Sequence, residues 1–211
     1  SLLTGCKGSA KPTTGIEDAA IPPKMLPDYV ASLQKILKDS KLEACFYGHA
    51  ASGLLHVRPV IDLHDREDLK RFRSLAKEVS ALVRQFKGSL AAEHGVGIAR
   101  SEFLKDHIDP PLLNAMQQVK RAFDPKGIMN RGKIFGHEEF AIDKNLRSFL
   151  SNDDELPFHP ALLYAAKDES FSAHLSQCNG CGGCRKETAT MCPTFVATGE
   201  EGMSTRGRAN L

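Results

Sequence analysis

No run of apolar residues in this 211-residue chain approaches the roughly 18 that a membrane span requires, so a transmembrane helix is not expected. Charge of one sign is lacking too. Against 28 Lys and Arg stand 26 Asp and Glu, a formal net charge of +2, and no local basic cluster breaks the balance. That removes the electrostatic footprint of a protein that binds nucleic acid or an anionic membrane. Ser1-Leu2-Leu3 has no basic leader ahead of a long apolar stretch, so no signal peptide is read. A dinucleotide fingerprint is missing as well, because Gly95-x-Gly97 lacks the third glycine and the acidic residue that follows it. Nor do the six cysteines form the dispersed framework of an extracellular protein: Cys6 and Cys45 stand alone, whereas Cys178, Cys181, Cys184 and Cys192 crowd together. The expected compartment is therefore reducing, the cytoplasm or the inner face of the membrane. With 41% hydrophobic residues, the length supports one medium domain or two small ones, each with a core.

Helical and strand periodicities organise what is present. After the proline-stiffened turn at Ile21 to Pro27, Tyr29, Leu33, Ile36 and Leu37 recur at helical spacing. Glu43–Gly48 and Leu54–Leu63 read as two strands around the small-residue turn Ala50-Ala51-Ser52-Gly53, which makes a hairpin. From Asp65 to Phe86 apolar residues repeat every 3.6 positions with Lys and Arg opposite them, and Gly88 is expected to end that helix. Ser89 to Ala92 reads as a short strand leading into Glu93-His94-Gly95-Val96-Gly97. Pro110 to Phe123 reads as a further helix, stopped by Asp124-Pro125. Strands interleaved with helices over short connections predict an α+β domain on an antiparallel sheet, with helices packed on one face. After about residue 138 the composition changes. Asn152 to Pro157 resembles a linker, with a short helix near Ala161 to Ala166, and the expected division is residues 1–140, a linker over 141–175, and a mostly helical cysteine segment over 176–211.

Two groups of residues point to chemistry. Cys178-Asn-Gly-Cys181-Gly-Gly-Cys184, followed by Met191-Cys192-Pro193, places three thiolates at the spacing that wraps one face of a cubane. Zinc knuckles use paired C-x-x-C arms separated by a longer span, so this pattern favours [4Fe–4S] over zinc. The second group is Gly48-His49 to His56 with Glu93-His94. If Ser52-Gly53 lie in the turn, His49 and His56 sit near the mouth of the hairpin, and Glu93 could complete a set for a divalent cation, zinc or similar. Taken alone, two histidines seven positions apart are more often ordinary sheet residues.

Four phrases together resemble a known family. Glu17-Asp18-Ala-Ala-Ile-Pro22-Pro23, Tyr47-Gly48-His49 to Leu55-His56-Val57-Arg58-Pro59, Glu93-His94-Gly95-Val96-Gly97 and Phe123-Asp124-Pro125-Lys126-Gly127-Ile128-Met129-Asn130-Arg131-Gly132-Lys133 are similar to the C-terminal cap domain of the FAD-linked oxidases, the family of D-lactate, glycolate and D-2-hydroxyglutarate dehydrogenases and oxidases. The tail from Cys178 through Ser204-Thr205-Arg206-Gly207-Arg208 resembles the ferredoxin-type [4Fe–4S] module fused behind that cap, cut short at Leu211. The resemblance implies a fragment of a flavoprotein that oxidises a 2-hydroxy-acid substrate and passes electrons through its clusters to a quinone, cytochrome or other carrier. The alternative is an electron-transfer subunit that docks on a separate flavoprotein and does no substrate chemistry. FAD itself would sit on an N-terminal domain absent here.

By the same resemblance His49, His56 and Glu93 match metal ligands, His94 the catalytic base, and Asn130 a residue that approaches the flavin. Cys178, Cys181, Cys184 and Cys192 match cluster ligands, with Cys192 serving a second cluster. The chain departs from the family pattern at Ala51, Ser52 and Leu55, where Gly, Asp and Asn are usual, so a carboxylate and an amide that would orient the ligands are missing from that loop. Arg58 and Arg100 are candidates to pair with a substrate carboxylate, or else are solvated surface arginines.

Overall fold

A computed structural model of the chain describes residues 8–135, 140–144, 146, 171–186 and 192–210. It divides into two compact units, one over Pro12–Arg147 and the other over Ser148–Leu211 with Ser1–Lys11. Of the linker read over 141–175, residues 147–170, with the short helix near Ala161, lie outside the described residues; its start does not behave as a linker, since Ala141 and Ile142 are buried and Ile142 belongs to the core of the larger unit.

The sheet of the larger unit is organised by its longest strand. β1 (Ala19–Ala20), β2 (Ala44–His49) and β3 (Leu54–Ile61) run antiparallel, with β3 paired to β2 along one edge and to β1 along the other. The turn between β2 and β3 is one 3-10 turn over Ala50–Ser52, closed by Gly53 at φ +73°. Register pairs Tyr47 with His56 and His49 with Leu54. Because side chains alternate along a strand, Leu55, Val57 and Ile61 turn toward the helices while His56 and Arg58 share the opposite face with Tyr47.

Two long helices cover the first face. In α1 (Leu26–Asp39), Pro27 occupies the first turn, where a missing N–H costs nothing, and Tyr29, Leu33 and Leu37 form its buried stripe. In α2 (Arg66–Gln85), the Asp65 carboxylate caps the N-terminus by accepting from Asp68 N–H at 2.7 Å. Phe72, Leu75, Ala76, Val79 and Val83 pack from it onto Val57 and Ile61, and the Tyr29 and Phe86 rings meet edge to face with centroids 5.6 Å apart. The antiparallel sheet with helices on one face is the α+β architecture the sequence predicts.

Two local expectations are corrected. The left-handed residue that ends α2 is Lys87, at φ +53°, rather than Gly88. Gly88 is needed for a different reason: a Cβ there would lie 2.6 Å from the Ala20 carbonyl oxygen. The stretch expected as a strand over Ser89 to Ala92 forms only a bridge between Ser89 and Ala20, because the amides that follow are captured by a side chain described below.

α3 (Ser101–Leu104) and α4 (Pro110–Phe123) follow. At the exit of α4 the Asp124 carboxylate accepts from Lys120 Nζ and from the N–H groups of Ile128 and Met129, both at 2.9 Å. The Lys120 bond first, then those amides, hold its pKa down at about 2. An acid depressed below its unfolded value of about 3.9 contributes stability that is complete above that value and disappears as pH falls toward 2. Thermal melts of wild type and Asp124→Asn should therefore differ at neutral pH and converge between pH 4 and 2; a constant difference across that range would remove the linkage.

The described residues of the cysteine segment carry α5 (Phe171–Leu175), α6 (Pro193–Thr198), α7 (Thr205–Arg208) and single 3-10 turns at Gly183–Arg185 and Glu201–Met203. Among the described residues, no helix is long and apolar enough to cross a membrane.

Candidate functional site

On the sheet face away from α1 and α2, the hairpin meets the Glu93-His94 turn. Glu93 stands between the two hairpin histidines, with Oε1 3.7 Å from His49 Nε2 and Oε2 3.6 Å from His56 Nε2. His94 stacks on His56 with ring centroids 4.9 Å apart and planes 8° from parallel. The Tyr47 ring lies 4.8 Å from that of His56, and Arg58 Nε donates to the Tyr47 hydroxyl at 2.9 Å. His56 is buried, whereas His49, Glu93 and His94 open to solvent. The structure thus brings His49, His56, Glu93 and His94 into one neighbourhood.

The turn that carries Glu93 and His94 is held by a residue for which sequence reasoning assigned no role. Asp18 is wholly buried, adopts φ +79°, and accepts at its carboxylate from the successive N–H groups of Ala92, Glu93 and His94 at 2.9–3.1 Å. Burial works against its charge, but the three amides and the nearby His94 overcome that and keep its carboxyl below the ordinary range. Glu17 is buried beside it. Burial again opposes ionisation, and the Gly15 N–H with the Arg100 guanidinium, 2.9 Å away, outweighs it and holds the acid ionised. Arg100 also donates to the carbonyls of Glu17 and Gly95.

Arg100 is therefore neither a surface arginine nor free to take a substrate carboxylate, since its fork is spent inside the fold. Arg58 is the arginine on the site face. A sequence signal for the acids did exist: two consecutive carboxylates ahead of Pro22-Pro23, among apolar residues, had to be buried with partners or exposed as a loop.

A divalent cation fits this arrangement on two observations. One ligand atom from each of Asp18, His56, Glu93 and His94 lies within 4.8 Å of all the others. His56 Nδ1 is a buried polar atom with no hydrogen-bond partner, which is the cost expected of a ring whose position is set by another demand. His49, expected as a ligand, is not in that group; it stands beside the group with its Nε2 3.7 Å from Glu93. Asn130 lies elsewhere, on the exposed loop after α4, with φ +45° and its side-chain oxygen accepting from Lys133 Nζ at 3.3 Å.

The other unit contains a second candidate site. Cys178, Cys181 and Cys184 line a cavity of about 570 Å³ together with His174, Arg206 and Arg208. Gly180 and Gly182 at φ +72° and +71° let the loop fold back, and a Cβ at Gly182 would lie 2.9 Å from the Arg206 guanidinium. Arg206 ties the segment together: its N–H donates to Cys184 Sγ at 3.4 Å, its Nη1 to the Gly180 carbonyl, and its Nε to Glu201. Cys192 is not among the residues that line this cavity. It sits at the start of α6, where the Thr194 hydroxyl and the Phe195 N–H bring its thiol down to about 7. Among the described residues, no three cysteines bring their sulfurs within 4.8 Å of one another. Thiolates on one zinc, with bonds of about 2.3 Å, would stand at about 4 Å.

Comparison with known proteins agrees with this architecture. Residues 1–134 match the family described as FAD linked oxidases, C-terminal domain. The chain is 34% identical over its whole length to a D-2-hydroxyglutarate dehydrogenase of Haemophilus influenzae and 33% identical to one of Escherichia coli. It spans about 20% of the length of each. Over 61% of the chain it is 30% identical to glycolate oxidase subunit GlcD of Bacillus subtilis, covering 27% of that protein. With more than half of its residues matched and a hairpin, an acidic turn and a helix exit that carry the family's phrases, the chain belongs to the FAD-linked oxidase C-terminal domain family.

Proposed function

We propose that this chain is the substrate-side part of a flavoprotein that oxidises a D-2-hydroxy acid, D-2-hydroxyglutarate foremost, to the 2-oxo acid. The observation that carries the reading is the convergence of His49, His56, Glu93 and His94 on one face of the hairpin, in a chain whose full-length relatives include D-2-hydroxyglutarate dehydrogenases. His94 takes the hydroxyl proton as general base. His49, His56 and Glu93 would hold a divalent cation, which when bound supplies Lewis-acid polarisation of the substrate oxygens. FAD, held mainly by a domain outside this chain, supplies the acceptor for the α-hydrogen and its electron pair. Arg58, steadied by Tyr47, is placed to meet a substrate carboxylate. Asn130, on its exposed loop, is assigned to the flavin side.

Cys178, Cys181 and Cys184 would hold a [4Fe–4S] cluster and Cys192 a ligand of a second one. Support comes from the cavity they line and from the Arg206 N–H directed at Cys184. Electrons would leave by this route to a quinone, cytochrome or other carrier. On this reading the cap ends near residue 140 and the cluster module begins near 176.

Elemental analysis of the anaerobically purified full-length protein tests both sites together. Iron and zinc should both be present, Cys181→Ser should lower iron alone, and Glu93→Gln should lower zinc alone. Iron-free protein would end the cluster assignment, and zinc content indifferent to Glu93 would end the cation site.

A further inference from the structure

We propose that Glu17 and Asp18 form a paired orienting device, in which each carboxylate fixes the proton of one imidazole of the stacked pair at Nδ1: Asp18 for His56 and Glu17 for His94. This rests on the cation and base roles proposed above and says how this chain imposes them. Successive side chains in extended backbone point to opposite faces, so two neighbouring acids would not ordinarily serve one site. The left-handed conformation of Asp18, at φ +79°, breaks that alternation. The result is that His94 Nδ1 has Glu17 Oε1 at 3.4 Å and Asp18 Oδ1 at 3.9 Å, while His56 Nδ1 faces Asp18 Oδ1 at 4.0 Å.

The chemistry explains what it achieves. A neutral imidazole carries one N–H and one lone pair, and the hydrogen bond made by one nitrogen decides which role the other plays. With both Nδ1 atoms turned to carboxylates, the lone pair of each ring is left on Nε2. On His56 that is the nitrogen 3.6 Å from Glu93, where a cation must be met by an unprotonated ligand. On His94 it is the nitrogen free to accept a proton. The Nδ1 of buried His56 has no hydrogen-bond partner, and the acceptor placed toward it is Asp18 Oδ1, 4.0 Å away, so only a small shift of the ring separates the two from a bond.

The pair divides its labour cleanly. Asp18 also anchors the Glu93-His94 turn through three amides, whereas Glu17 accepts from the N–H groups of Gly15 and of its own residue and is fixed by Arg100, whose guanidinium donates and cannot accept. Arg100 thus leaves Glu17 one available action toward His94, which is to accept.

The full-length holoenzyme provides the test, with zinc as the probe and flavin bleaching as the rate. Asp18→Asn should weaken zinc binding 10- to 100-fold with FAD content unchanged. Glu17→Gln, a weaker acceptor at the same shape, should lower kcat for flavin reduction about tenfold or more while KM and zinc content stay at wild-type values. A merely structural role would instead move melting temperature, zinc and kcat together. Zinc bound equally tightly by wild type and Asp18→Asn overturns the Asp18 half, and an unchanged kcat in Glu17→Gln overturns the Glu17 half. Wild-type protein that binds no zinc overturns the cation site itself, a different failure seen before any variant is made. Should either variant not fold, a crystal structure of the zinc-loaded wild type decides: His56 Nδ1 within about 3.2 Å of Asp18 and His94 Nδ1 within about 3.2 Å of Glu17 support the device, and a ring rotated away ends its half.

Discussion

Replacing His94 by alanine should lower the rate of flavin reduction by substrate about 10²- to 10⁴-fold in the full-length enzyme, with flavin content unchanged. The range is that of one general base removed from a site that otherwise keeps its orientation. The side chain of His94 is 40% exposed and stacks on His56, so its loss opens little cavity in the core. Its backbone N–H, which Asp18 uses, survives the substitution. Rapid-mixing measurement of flavin absorbance separates this from a folding defect, since FAD would still be bound. Bleaching within threefold of wild type would falsify the assignment of His94 as base and move that role to another group on the face.

The largest effect on stability is expected at a position with no functional atoms. Gly53 has φ +73°, and a Cβ built there would lie 1.8 Å from the carbonyl oxygen of Ile21, whose N–H in turn donates to the Gly53 carbonyl at 2.9 Å. That neighbour is backbone and cannot swing aside, so Gly53→Ala must either break the turn or push the Ala19–Ala20 strand off the hairpin. The left-handed penalty is about 1–2 kcal/mol, and the displaced strand adds a comparable amount, for a loss of roughly 3 kcal/mol or more. Gly127→Ala is the control: it shares the conformation, at φ +63°, but has nothing within 4 Å of the added atom. Only the conformational part should be lost there. Equal shifts in the unfolding midpoint for the two variants would show that the close approach at Gly53 relaxes and that the Ile21 contact is not rigid. Because Ile21 lies three residues beyond Asp18, the same substitution should also loosen the orienting acids.

Much of this molecule was legible from residue spacing. The stripe Tyr29, Leu33 and Leu37, the stripe from Phe72 to Val83, and the proline and Asp124 at the two ends of α4 are local signals, because a helix buries what its own 3.6-residue period places on one side. The hairpin was legible for the same reason, and with it the placement of His49 and His56 on a common face, since register and alternation follow once the turn is known. Where local reading went astray, a distant contact was responsible. Gly88 is dictated by Ala20 rather than by the end of α2, and Ser89 to Ala92 fails as a strand because Asp18, 74 positions earlier, takes the Ala92 amide.

What the sequence determined alone, then, is the hairpin and the helices α1, α2 and α4, the faces that α1 and α2 bury, and the residue types gathered at the hairpin mouth and in the cysteine segment. Tertiary structure decided the state of the charged residues. Arg100 and Glu17 are 83 positions apart, and either by itself would be read as solvated; their burial is tolerable only because each is the other's partner. Asp18 is likewise an unremarkable loop acid until three amides from the Glu93 turn close on it and the two histidine rings come to rest above it. The physical reason is the range of the forces. Backbone periodicity is set within a few residues, whereas the stability of a buried charge depends on every group that replaces its water, and those groups are assembled only when the chain has folded.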